Sequence, residues 1–210
     1  MATRRRNGEA GLHRIAIERR IGAIGNRQLQ LVRLAQLEHA GLSRRSAAYR
    51  CEAGRLHRLR PGVYALHPPP YSREQHLLAA VLACGPAALA SRLSAAEQAD
   101  LLAATAHSHQ VVVPGGRGRT AEGIDVHRSR VDPRDRRNFG GVPTTSPDRV
   151  LIDLAPTESE QTLEVIMVAA ESKGLLKRGR LGELVAERRG RPGIPKLERL
   201  LALEPEIARS

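Results

Sequence analysis

Chain breakers fall at short intervals between positions 41 and 70, and they limit what this stretch can form. Gly41-Leu42-Ser43, Gly54, Arg60-Pro61-Gly62 and His67-Pro68-Pro69-Pro70 leave room only for single short helices and strands. Apolar residues at 31, 32, 34, 37 and 40 predict a helix over 31–40, ended by Gly41, which suits a left-handed C-terminal position. Ser43 then offers an N-cap for a second short helix, SRRSAAYRCEAG, closed by Gly54.

Beyond Gly54 the pattern changes to RLHRLRPGVYAL, two strand-like runs over 56–59 and 63–66. Pro61 presets the first central turn position and Gly62 accepts the positive φ of the second, so the runs are expected to form a hairpin. Upstream, Leu12, Ile15, Ile17, Ile21 and Ile24 suit an amphipathic helix that Gly25-Asn26 interrupts. The order helix, helix, turn, helix, basic hairpin predicts a winged helix-turn-helix over 14–67 behind a basic flexible N-terminus at 1–13. The Pro-rich run at 68–71 reads as a linker.

Residues 72–203 read as a second, α+β module, and 204–210 as a tail. Helices are expected over 72–83 and 91–104, then strands over 111–113 and 124–127 joined by a β-turn in the Gly-rich PGGRGR segment. PTTSPDRVLIDLA reads as a turn leading into a helix, with Ser146 as cap and Pro147 at its first position. Further helices are expected over 159–172, 180–188 and 196–203. The fold class is α+β, mostly α.

Charge is unevenly placed. Of the 34 basic residues 31 are Arg, a bias that a GC-rich genome produces unaided, so position is more informative than total. Residues 1–60 hold 14 Arg against four Glu, a net +10 of the chain's +12. This concentration points to a phosphate-bearing partner. No apolar stretch approaches the roughly 18 residues of a membrane span, and no apolar h-region follows the basic start, so a cytoplasmic protein without a membrane partner is expected. Cys51 and Cys84 are too few and too far apart for a disulfide framework or a CxxC site.

On the helix over 43–53, Ala47 and Cys51 form a small inward face, which leaves Arg44, Arg45, Ala48, Tyr49 and Glu52 outside. Arg45 can pair bidentately with guanine, Ala48 can meet a thymine methyl and Tyr49 can bond a phosphate, with Ser43 and Arg44 in the same expected DNA-binding set; the sequence leaves open which of them reads a base. Arg55, Arg58 and Arg60, with His57 beside them, line the hairpin, where they can contact phosphates or the minor groove. Double-stranded DNA is the expected partner.

RLAQLEHAGLSRRSAAYRCEAGRLHRLRPGVYAL resembles the N-terminal winged-helix domain of AbiEi-type antitoxins, the regulators of type IV toxin-antitoxin systems. The likeness is closest over GLSRRS and GRLHRLRPGVYAL and persists through HLLAAVLACGPAALASRLSAA, GIDVHRSR and GVPTTSPDRVLIDLA. It implies a repressor of its own operon, with the later module neutralising a nucleotidyltransferase toxin. Relatives carry larger apolar residues at positions 47 and 51 and an aromatic-bearing run at 97–100, where this chain has Ala47, Cys51 and Glu97-Gln98-Ala99-Asp100. Some relatives continue into a restriction-endonuclease-like domain. No such segment stands in this sequence, so the resemblance implies no nuclease activity.

Rival sites are weaker. His107, His109 and His127 could share a metal, yet no Cys or acidic residue lies close in sequence to complete the set. Asp125, Asp132, Asp135 and Asp153 lack a Lys at nuclease-like spacing, and Asp132 and Asp135 flank Pro133 as turn residues do. PGGRGR lacks the Lys-Ser/Thr ending of a phosphate-binding loop. No cofactor, no metal and no enzymatic activity are expected.

Overall fold

The structure, a computed structural model, describes residues 2–105, 108–116 and 122–203, with side chains from position 12 onward. The class is α+β, and the chain divides into two compact units between Pro86 and Ala87.

The first unit runs α1 (Ala2–Arg27), β1 (Leu31–Arg33), α2 (Leu34–Ala40), α3 (Arg44–Glu52), β2 (His57–Arg60), β3 (Val63–Ala65) and α4 (Arg73–Cys84). Its antiparallel sheet has the order β1-β3-β2, with Leu31 opposite Ala65 and Arg58 opposite Tyr64. The core joins Ile17 and Ile21 of α1 to Val32, Leu37, Leu42, Ala47 and Leu56. Burying an aliphatic side chain such as Leu37 contributes about 1.5–3 kcal/mol.

Three expectations change here. α1 continues through Gly25-Asn26, and Leu12 and Ile15 stay exposed at 69% and 50%, because the buried stripe follows Ile17, Ile21 and Gly25 at helical spacing. Residues 31–33 form a strand, since Leu31 and Val32 are each wholly buried by pairing with β3, and helix α2 begins only at Leu34. The unit also extends past 68–71: Ser72 and Gln75 form a capping box on α4, and Gln75 Nε2 donates to the Leu29 carbonyl at 2.9 Å. α4 accordingly packs on β1 and β2, and the Pro-rich run joins two elements of one unit.

The second unit runs β4 (Leu89–Ala90), α5 (Arg92–Gln98), β5 (His109–Val113), β6 (Ile124–Arg128), β7 (Arg136–Phe139), β8 (Val142–Thr145), α6 (Pro147–Leu154), α7 (Glu160–Ser172), α8 (Arg178–Ala186) and α9 (Ile194–Ala202). Its five-stranded sheet has the order β6-β5-β4-β8-β7. Helices α6 to α9 converge on Leu151, Leu154, Leu163, Ile166, Met167, Leu181, Leu197 and Leu200, all at most 2% exposed.

Ser146 caps α6 and Pro147 opens it, as the sequence predicts, and Ser159 caps α7. The segment expected to be a turn before α6 is instead strand β8, paired with β7. α5 is shorter than 91–104, because Ala99 caps it and Asp100 takes a positive φ of 55°. β5 and β6 pair in parallel, His109 beside Ile124, and a β-turn cannot join parallel strands. Residues 117–121, the end of PGGRGR and the two residues after it, lie outside the described residues.

Candidate nucleic-acid interface

Helix α3 is positioned at both ends and on one face. Gly41, at φ 103°, turns the chain out of α2 while its amide donates to Glu38 O and that of Leu42 to Leu37 O. Ser43 then caps α3, its Oγ accepting from the Ser46 amide at 3.2 Å. At the far end, the Arg55 and Leu56 amides both donate to the Arg50 carbonyl, which ties the hairpin to the helix.

The inward face is small, as the sequence predicts: Ala47 is wholly buried and Cys51 is half-buried. Burial pushes the Cys51 thiol up, which suits packing and disfavours a nucleophile. The sequence reading missed a second anchor. Arg50 donates through both terminal nitrogens to Glu18 on α1, at 2.5 and 3.2 Å, with only 18% of its side chain exposed. A bidentate guanidinium-carboxylate pair fixes orientation as well as distance. The partners lie 32 positions apart, so only the fold brings them together.

Arg44, Arg45, Ala48, Tyr49 and Glu52 all lie on the exposed side. Arg44 comes within 3.9 Å of Glu38, both well solvated, a contact that leaves the charge available. Tyr49 keeps 65% of its surface exposed, an unusual place for one of only four aromatic residues. Ser43 is occupied in capping, though its exposed hydroxyl is at the entry of the same face.

The hairpin is short and well tied. Gly62 takes φ 75°, and its carbonyl accepts from the Leu34 amide at 2.9 Å, so the turn is held against the start of α2. β2 is an edge strand, and a register shift between Arg58 and Arg60 bulges it at Leu59. Arg55 and Arg58 are exposed, whereas His57 and Arg60 are half-buried.

Residues 26–67 match a family of transcriptional regulators, the AbiEi antitoxins. The match opens at the end of α1 and closes just after β3, so it contains the whole of β1, α2, α3 and the hairpin. All nine positions singled out from the sequence lie inside the AbiEi-matched segment. Among curated proteins the chain has no match.

Elsewhere the acidic residues of the rival sites take structural roles. His127 Nε2 meets Asp125 Oδ2 at 3.1 Å, His107 lies outside the described residues, and no group of three or more metal-ligating side chains occurs among those described. Asp132 accepts from the Arg134 amide at 2.8 Å, capping its own turn. Asp135 and Asp153 flank Arg149, at 3.8 and 2.8 Å. This buried cluster was also missed, although the i,i+4 spacing of Arg149 and Asp153 on α6 was visible in the sequence. No helix among the described residues is long and apolar enough to cross a membrane.

Proposed function

We propose that the first unit is a winged helix-turn-helix that binds double-stranded DNA in the cytoplasm, with α3 in the major groove. The observation that carries this is the uniform exposure of Arg44, Arg45, Ala48 and Tyr49 on a helix anchored through Ala47 and Arg50, inside a segment matching transcriptional regulators. Arg45 and Ala48 read bases, Tyr49, Arg44 and Ser43 hold phosphates, and Arg55, His57, Arg58 and Arg60 form the flanking contact. The protein represses its own operon as an antitoxin of the AbiEi kind.

Binding to duplex from its own promoter tests this. Affinity should fall steeply with salt, and Arg58→Ala should weaken every sequence alike and lower the log-log salt slope by about 1. Arg45→Ala should cost about 1–3 kcal/mol on the operator and relax preference at one base pair. Equal affinity for promoter and random duplex would remove the regulator reading.

A second reading draws on α7, whose Val165 and Val168 remain 48% and 47% exposed on a helix otherwise buried through Leu163, Ile166 and Met167. That face offers a partner protein an apolar contact, the partner expected for an antitoxin being a nucleotidyltransferase toxin. The full chain carrying Val165→Glu and Val168→Glu should then keep DNA binding and lose co-purification with the product of an adjacent toxin gene.

A further inference from the structure

The second unit contains a cavity of about 530 Å³ whose walls combine guanidinium groups with apolar surface. Its charges sort into two sets. The carboxylates are already satisfied: Asp153 by Arg149, Asp135 by Arg149 and by Arg180 at 3.5 Å, and Asp132 by its own turn. Arg149, 9% exposed at its side chain, is spent in turn, donating to Asp153, to Ser129 Oγ at 2.7 Å and to the Arg130 carbonyl at 2.8 Å.

Arg92, Arg130 and Arg191 also line the cavity, and none of their side chains makes a hydrogen bond or an ion pair with the described residues. Arg92 is the least ordinary of the three. It is half-buried and held at φ 51°, a left-handed conformation that costs a non-glycine residue about 1 kcal/mol or more. Strain of that kind persists where the surrounding fold imposes it, here by the Ser91 carbonyl accepting from Ala95 and by Gln110 accepting from the Leu93 amide at 2.9 Å.

Three guanidiniums without a direct hydrogen bond or ion pair surround one concavity and present forked donors matched to phosphate oxygens; Asp153 and Asp132 act on Arg92 and Arg130 only through space, being themselves paired with Arg149 and with Arg134. Ile152, Pro156, Pro192 and Ile194 supply an apolar wall beside them, and the volume lies in the range of organic ligand sites. We propose that this cavity binds a phosphate ester of nucleotide size, its terminal phosphate on Arg92, Arg130 and Arg191 and its organic body on the apolar wall. The ester can be free or stand at the 5′ end of a nucleic-acid strand, since the terminal phosphate is the same chemistry.

Calorimetric titration of the full chain with metal-free ATP, inorganic pyrophosphate, adenosine, and a short single strand with or without its 5′-phosphate tests the assignment. ATP should bind, adenosine should bind at least about 100-fold more weakly, and Arg92→Gln and Arg191→Gln should each weaken ATP about tenfold while leaving the melting temperature within a degree or two. Strand binding that depends on the 5′-phosphate and is lost in the same variants assigns the site to strand ends. Binding of ATP alone assigns it to free nucleotides. Because the first unit is itself basic, Arg45→Gln/Arg58→Gln serves as the reference: ATP binding should survive it. ATP binding lost in that variant but kept in Arg92→Gln, or no heat up to about 1 mM ATP, would overturn the proposal and leave the DNA-binding reading untouched.

Discussion

In the first unit Arg44, Arg45, Arg55 and Arg58 lie exposed on α3, on the link after it and on β2, and among the described residues the one acid within ion-pair reach of any of them is Glu38, 3.9 Å from Arg44. In the second unit Arg149, Arg178 and Arg180 turn inward or across helices onto carboxylates, with Arg178 donating to Glu171 at 2.6 Å and Arg180 reaching Asp135 and Asp148. The same side chain, used throughout an Arg-rich sequence, thus supplies surface charge along α3 and β2, Arg50 apart, and internal cross-links around α6 and α8. Residue counts cannot separate these uses, because they differ in solvation. A solvated guanidinium keeps its charge available to a partner. A buried one spends it on the desolvated acids around it.

The sharpest break in this comparison comes from truncating Arg149. Its removal strands Asp153, leaves Asp135 with Arg180 alone and loses the hydrogen bond to Ser129, and breaking such a buried set costs about 3–5 kcal/mol. Arg149→Ala should therefore lower the unfolding midpoint of the second unit markedly in a denaturant titration. Arg45→Ala and Arg58→Ala should move it by no more than about 0.5 kcal/mol, as solvated substitutions do, while still lowering affinity for DNA. A stable Arg149→Ala protein would mean that water replaces the guanidinium and that the cluster is a surface feature.

Much of this contrast was legible before any coordinates. The caps at Ser43 and Ser146, the Arg60-Pro61-Gly62 turn and the inward Ala47 all follow from local chemistry, and the structure places them as local chemistry requires. What escaped was set by distant partners. Leu31 and Val32 fit the helical spacing that continues through Leu34 and Leu37, and three residues are too few to display strand alternation, so only pairing with 63–65 decides their state. Likewise two-residue β4 has no periodicity, and its parallel pairing of Ala90 with Thr144 is invisible locally. On the candidate interface the exposed residues were readable from helical spacing. The Arg50–Glu18 anchor was not, because 32 residues separate its members.

A smaller effect distinguishes how the two regions hold their helices. Ser43 caps a helix whose buried face is mainly one alanine, so α3 depends on its ends more than α6 does with Val150, Leu151 and Leu154 beneath it. Ser43→Ala should cost about 1 kcal/mol of stability and weaken promoter binding through fraying at the helix entry. The matching change at Ser146 costs a similar amount in stability without touching DNA affinity. A loss of DNA affinity larger than the loss of stability explains would measure the phosphate contact of the same hydroxyl, and a loss no larger would leave Ser43 a cap alone.

The smallest effect concerns an interior acid. Burial pushes the Asp148 carboxyl above the usual carboxylate range, against the lowering pull of Arg180, whose Nε lies 3.9 Å away, and Oδ1 has no hydrogen-bond partner among the described residues. A folded pKa above the unfolded one means that the native state holds the proton more tightly. Stability from this group is then greatest below the ordinary Asp range and declines as pH rises from there through the raised folded value, beyond which the cost is constant. Asp148→Asn removes the titration. Relative to the parent it should be neutral at low pH and become more stable as pH rises through that window, read as paired denaturant midpoints at several pH values. A variant that instead loses ground with rising pH would show the carboxylate to be worth more to Arg180 than its burial costs. The inward use of arginine would then stabilise even at the pair with the longest reach.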